Sequence, residues 1–293
     1  MFSLHKHALA YRFRWDKELD PQISPALFRG MVWHKIMEAH CGHIQAGATT
    51  MARREWIARY LSDVANTDQE SADLLAWMFD GYEELYGCDP DWEVMAIEEP
   101  FICRLPTLRG RPSRFWLRLR ADLIVRIRMG ARRRIWVVDH KTSIRLPSER
   151  ELEIDDQFGL YTYGVRQNDW DIFGSIHNSA RTQHNKAPMT WEERFSRTLM
   201  YRTDQELETI AREAYQTARN AFSFPADIAP RSPDSDRCKW RCQFTEACLT
   251  GRKAGNRQEN LFLESSGFVR ISEDEQLARR GYGEQPPRPP GRD

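Results

Sequence analysis

The chain has 293 residues, of which 41% are hydrophobic, with 10 tryptophans and 14 phenylalanines, enough to bury the core of one elaborated domain or two small ones. Lysine plus arginine and aspartate plus glutamate stand at 43 each, so net charge points to no partner and only the placement of the charges can. No apolar run approaches the roughly 18 residues that span a membrane, and the opening MFSLHKHALAYRFRW lacks the uninterrupted apolar core of a signal peptide.

The expectation from these exclusions is a cytoplasmic protein of a bacterial, archaeal or phage-infected cell, with no membrane association. A reducing compartment makes its six cysteines free thiols or metal ligands rather than disulfides.

Along the chain, Leu27, Met31, Ile36 and Met37 recur at near-helical spacing, and similar patterns over 51–61 and 71–85 predict a helical first third. From 92–104, 115–129 and 134–141 the pattern turns to β-branched and aromatic residues with period-two alternation, interrupted at Gly110 and Gly130, which predicts three strands. Helical patterning returns over 149–166, a strand fits 172–180, and 203–222 reads as a long helix.

Loop composition, FPADIAPRSPDSD, then leads to a cysteine-rich segment, and the tail from 272–293 ends GEQPPRPPGRD, too polar and proline-rich to pack. The expected organisation is a helical region over 1–90, a core over 91–225, a cysteine segment over 226–271 and a disordered tail over 272–293.

Chemistry concentrates where an apolar strand runs into charge, in IWVVDHKT at 135–142. Side chains alternate along a strand, so Val137, Asp139 and Lys141 project to one face while Trp136, Val138 and His140 project to the other. On the preceding strand Leu117, Leu119, Ala121, Leu123, Val125 and Ile127 share parity and are expected to form one apolar face, with Arg118, Arg120, Asp122, Arg126 and Arg128 opposite. If the two strands pair, Asp122 and Asp139 converge as hard oxygen ligands of the kind magnesium or manganese requires. A neighbouring lysine can orient water and stabilise charge on a phosphate.

Asp-x-Lys alone is more often an ordinary ion pair at a strand end. Three further features support the site. Gln157 and Tyr161 stand four apart in the next helix and share a face. Gly30 and His34 stand four apart in the first helix, where an imidazole can be a ligand or a phosphate contact. Arginine is dense from Arg111 to Arg134, as a phosphate-tracking surface requires, and Arg118, Arg120, Arg126 and Arg128 are the candidate DNA contacts.

The ordered series GMVWH at 30–34, RADLIV around Asp122, VVDHKT around Asp139 and QFGLY at 157–161 resembles the RecB-like branch of the PD-(D/E)XK nuclease superfamily, over about 3–248. The resemblance implies an α/β fold, a mixed central sheet flanked by helices in a restriction-endonuclease-like core. It also implies DNA cleavage with Mg2+ or Mn2+, in which a metal-activated water hydrolyses the phosphodiester bond. Catalytic roles fall to Asp122, Asp139, Lys141, Gln157 and Tyr161, and metal ligation to His34, Asp122 and Asp139. Aspartate stands at 139 where glutamate is commoner, and Glu98 or Glu99 matches an acidic position that could equally be a solvated strand residue.

Cys238, Cys242 and Cys248, with three and five residues between them, have metal-ligand spacing. The trio is similar to one that, in RecB-like and CRISPR-associated nucleases, joins an N-terminal cysteine around a 4Fe-4S cluster. Here Ala10 stands where that fourth ligand is expected, so an iron-sulfur cluster, a zinc ion and a metal-free segment all remain open.

The expected function is a DNA exonuclease acting on single strands or duplex ends in recombination, repair, phage DNA processing or CRISPR spacer acquisition. The alternative is a DNA-binding or scaffold subunit that does not cut. No phosphate-loop motif is encoded, so any helicase or recombination partner is a separate protein.

Overall fold

The computed structural model describes residues 24–183 and 189–223, together with the strand pair at 19–20 and 269–270 and residue 249. The chain divides into two compact units, one of residues 24–103 and 116–210 and the other of residues 1–23, 104–115 and 211–293. In the second unit the strands β1 (Leu19–Asp20) and β7 (Val269–Arg270) pair antiparallel. The cysteine trio and the tail lie outside the described residues.

The first unit begins with three helices, α1 (Pro25–Gln45), α2 (Thr50–Ala65) and α3 (Gln69–Leu85). Each starts on a side-chain cap: Ser24, Thr49 and Asp68 accept the backbone N–H of Leu27, Ala52 and Ser71, which satisfies donors that a helix start leaves orphaned. Their apolar stripes meet in one core of Trp33, Ile36, Met37, Ile57, Leu75 and Met78, with Phe195 added from the sheet. These three helices belong to the same unit as the sheet.

The sheet holds five strands in the order β2 (Trp92–Pro106), β3 (Pro112–Met129), β4 (Arg132–Ser143), β5 (Ile172–Arg181) and β6 (Phe195–Met200). β3 and β4 pair antiparallel, β4 and β5 parallel, and β5 and β6 antiparallel. This is a mixed α/β sheet, and its parallel step is bridged by α4 (Glu149–Glu153) and α5 (Asp156–Arg166). The single helix expected over 149–166 breaks between these two because Asp155 turns out of the first and caps the second, accepting from Gln157 N at 2.9 Å. The long helix α6 (Asp204–Phe222) follows β6.

The sheet is apolar on both faces. Trp136 and Val138 pack with Leu123, Val125, Ile127 and Cys41 of α1, while Val137 packs with Ile124, Leu119, Ala121 and Val165 of α5. β4 alternates as expected. β3 does not keep its odd-numbered residues on one face: Leu119 and Ala121 join the α5 side, and Leu123, Val125 and Ile127 join the α1 side. The exchange happens at Asp122. A Cβ on Gly164 would stand 2.2 Å from Leu119, so glycine there lets α5 lie directly on β3.

Candidate metal centre

The face exchange at Asp122 is where the site forms. The β3–β4 ladder ends where Leu123 pairs with Val138, and Asp122 and Asp139 are the next residues on the two strands. At that step a side chain stands in for backbone: Asp122 Oδ2 accepts the backbone N–H of His140 at 2.8 Å. The same oxygen lies 3.2 Å from His34 Nδ1, which α1 brings over the end of β4. Gly30, one helical turn before His34, sits beside Thr142, whose Oγ1 would be 3.4 Å from an added Cβ.

Asp139 is almost fully buried, with a side chain 2% exposed, and Lys141 Nζ lies 2.9 Å from its carboxylate. Gln157 Nε2 donates to Asp139 Oδ1 at 3.3 Å and to the Tyr161 hydroxyl at 3.1 Å. The helical spacing of Gln157 and Tyr161 and the strand alternation of Asp139 and Lys141 thus bring these four side chains together. The second oxygen, Asp139 Oδ2, lies within ion-pair reach of Lys141 but has no hydrogen bond and no solvent.

Glu98 of β2 joins from the other side. Its backbone is left-handed, with φ of 51°, which is rare for a non-glycine residue in a strand. Arg120 Nε pairs with Glu98 Oε2 at 2.8 Å and donates to Glu98 O at 2.9 Å. One ligand atom each from His34, Glu98 and Asp122 lie within 4.8 Å of one another. The group expected to hold metal was His34, Asp122 and Asp139. The group within mutual reach replaces Asp139 with Glu98, because Asp139 is drawn toward Lys141 and Gln157.

The acids are held in different protonation states. Burial alone would raise Asp122, but His34, Lys141 and His140 hold it below the usual carboxylate range. Burial pushes Asp139 up to about 6 despite Lys141, with Asp122 adding to the rise. Burial and Asp122 push Glu98 up to about 7. His34 moves up: Asp122 outweighs its burial. Burial would lower Lys141, yet Asp139 and Asp122 keep it above its ordinary value and charged.

Behind the site, His140 Nδ1 meets Asn178 Nδ2 at 2.8 Å, Asn178 Nδ2 also donates to Tyr82 OH at 2.8 Å, and Arg197 Nη2 donates to Tyr82 OH at 3.0 Å. Burial lowers His140 to about 3, so a neutral ring supports the peptide that grips Asp122. Sequence reading missed this support, since Tyr82, Asn178 and Arg197 come from three separate elements.

The donor set fits a hard divalent cation. It consists of carboxylate oxygens and one imidazole, with a buried carboxylate oxygen lacking a hydrogen-bond donor. Of the arginines expected to contact DNA, Arg120 is engaged with Glu98 and Arg126 with Glu93 at 2.9 Å, while Arg118 and Arg128 are exposed.

No family model and no curated protein matches the chain. Among solved structures the chain is similar to that of SSO0001, at 19% identity and a TM-score of 0.36, over 73% of this chain and 84% of that one. A likeness at that level carries nothing about activity. No helix among the described residues is long and apolar enough to cross a membrane.

Proposed function

We propose that the chain is a Mg2+- or Mn2+-dependent deoxyribonuclease of the RecB-like PD-(D/E)XK kind. The observation that carries this reading is the buried Asp139 carboxylate just past the end of the β3–β4 ladder, felt by the charge of Asp122 and 2.9 Å from Lys141.

His34, Asp122 and Asp139 would hold the cation, with Glu98 within reach of His34 and Asp122, and the cation would supply Lewis-acid polarisation of a phosphate and a lowered pKa for water. Lys141 keeps its proton, and with it a positive charge beside the acids, where a phosphate's developing negative charge needs it. Gln157 holds Asp139 Oδ1 and Tyr161 holds Gln157, so the carboxylate stays turned toward its partners. Hydrolysis breaks one phosphorus–oxygen bond as water adds to phosphorus, and the departing oxygen takes up a proton.

The finer reading is an exonuclease acting on single strands or duplex ends in the cytoplasm, alone or beside a separate helicase or recombination protein. For Cys238, Cys242 and Cys248 we keep a 4Fe-4S cluster, with zinc as the alternative, because three thiols at that spacing suit either. Visible absorption and metal analysis of anaerobically purified protein decide between them.

End-labelled single- and double-stranded DNA incubated with Mg2+ or Mn2+ tests the main proposal. Cleavage that disappears in Asp139→Ala and Lys141→Ala supports it. DNA binding without cleavage in the wild type would point to a non-cutting subunit instead.

A further inference from the structure

We propose that the end of the sheet remote from the acids carries a binding surface for single-stranded nucleic acid. The rings of Phe173 and Tyr201 stack on unpaired bases there, and Arg132 and Arg134 hold the phosphates beside them. The surface goes beyond the metal-dependent reading above, because it binds a strand whether or not the chain cleaves one.

It differs from the metal centre in position and in face. Arg134 stands five residues before Asp139 on β4, about 16 Å of extended strand. By alternation Arg132 and Arg134 share the side of Trp136 and Val138, which pack toward α1, whereas Asp139 shares the side of Val137, which packs toward α5. The β3–β4 ladder agrees: Arg134 pairs with Ile127, itself on the α1 side, and Arg132 pairs with Met129. Two arginines thus stand side by side at the hairpin end.

Across β5 they meet aromatic rings. The β4–β5 register shifts after Ile135, so that Ile135 pairs with Ile172 and Trp136 with Gly174, and Phe173 falls in the step between. Arg134 Cζ lies 5.0 Å from the centroid of the Phe173 ring. Trp136 stands 5.1 Å from that ring on the buried side, and Tyr201 5.2 Å from it with 39° between the planes. The row of guanidinium, ring and ring ends in the open, since Tyr201 is 55% exposed. Flat groups of this kind stack on bases of any sequence, and arginine adds charge for the backbone.

The ordinary alternative is a fringe of the core with Arg134 as its lid. That accounts for Phe173, which packs on Trp136, but not for Tyr201, which follows the last residue of β6 with over half its surface in water. Nor are the two arginines part of the hairpin's ion pairs. Those lie on its other face, where Glu93 takes Arg126 and Arg133.

Fluorescence anisotropy of labelled oligothymidylate with the full chain, in chelator so that no cleavage occurs, tests the assignment. The wild type is expected to bind the strand more tightly than an abasic strand of equal length. Tyr201→Ala is expected to weaken binding about 5- to 100-fold. Arg134→Lys keeps the charge but loses the flat stack, so affinity falls while the salt dependence holds. Arg132→Ala is expected to lower the slope of log affinity against log salt by about 0.7. Both Tyr201 and Arg132 are exposed, so these two variants keep the fold.

Unchanged affinity in Tyr201→Ala and Arg134→Lys overturns the proposal, and so does equal binding of the abasic strand. Self-association that Tyr201→Ala abolishes, without strand binding, would make the row a contact between copies instead. Returning Mg2+ separates the two readings. Strand binding through this row without cleavage would sink the nuclease and keep the surface, whereas cleavage with both variants binding normally would do the reverse.

Discussion

Two clusters of buried charge lie in the same compact unit, and they are built on opposite principles. Under the helices, Arg53 pairs with Glu83, both 2% exposed, and His40 Nδ1 lies 3.2 Å from Glu83 Oε2. Arg53 also donates to Ala48 O at 2.8 Å and to Thr50 Oγ1 at 2.9 Å. Burial, reinforced by Arg53 and Arg197, pushes His40 down to about 3, so one cation answers one anion and the imidazole is neutral. At the sheet end, Glu98, Asp122 and Asp139 are answered by Lys141 and Arg120 as fixed cations, and two of the three acids are pushed up to about 6 and about 7. A closed pair locks helices together. An open set whose acids titrate apart is the arrangement expected where chemistry or ion binding occurs.

The contrast is broken most sharply by removing one acid from each cluster. Asp139→Asn is expected to lower cleavage of labelled DNA by about a thousandfold, roughly 4 kcal/mol of barrier, with no loss in the metal-free melting temperature. Glu83→Gln should do the opposite. It leaves Arg53 buried without its anion, which costs about 3 kcal/mol in denaturant unfolding, and Mn2+ affinity stays unchanged. A large stability loss in Asp139→Asn with cleavage intact would make the two clusters alike.

The pH dependence sharpens the same contrast. In the metal-free chain Asp139 and Glu98 keep their protons up to about 6 and about 7, above unfolded values near about 4. Their burial therefore costs stability as pH rises through those folded values. Cation binding needs them deprotonated. Saturating Mg2+ should accordingly raise stability at pH 8, by about 2.7 kcal/mol at a hundred times its dissociation constant, and the gain should vanish as pH falls from 7 to 5. His40 and His140, both lowered to about 3 by burial, add an acid limb below about 6.5 that Mg2+ does not rescue. Melting curves with and without Mg2+ across that range separate the two effects; a gain that does not change with pH would mean the acids are not the ligands.

How much of this could be read beforehand follows from how local each signal is. Asp139 and Lys141 share a face by strand alternation, and Gln157 and Tyr161 by helical spacing, so their pairwise neighbourhood is legible in residue order. Helix and strand limits likewise came close, since α1–α3 and β2–β5 carry clean periodicity. Neither Glu98 nor Glu99 stands out from a solvated strand residue in the sequence, because the aim of Glu98 depends on a φ of 51°, which nothing in AIEEPF signals. The face exchange in β3 was hidden for a related reason. The alternation in the sequence runs unbroken through Ala121 and Leu123, while the change of face falls at Asp122, where its carboxylate grips the His140 peptide. Arg120 and Arg126 looked like a phosphate track because their anions, Glu98 and Glu93, come from a different strand.

Gly30 gives the finest test. The motif glycine next to His34 invites the reading that α1 must touch the strand end, yet an added Cβ would meet Thr142 Oγ1 at 3.4 Å, an ordinary contact. Inside a helix, alanine is favoured over glycine by about 0.5–1 kcal/mol. Gly30→Ala is therefore expected to raise the melting temperature slightly and to leave Mn2+ binding unchanged. If the variant melts higher but cleaves DNA more slowly, the glycine is kept for the approach of substrate to His34. If it melts lower, the helix packs on β4 more tightly than the 3.4 Å contact implies, and the site depends on that packing as the closed helical cluster does on its own.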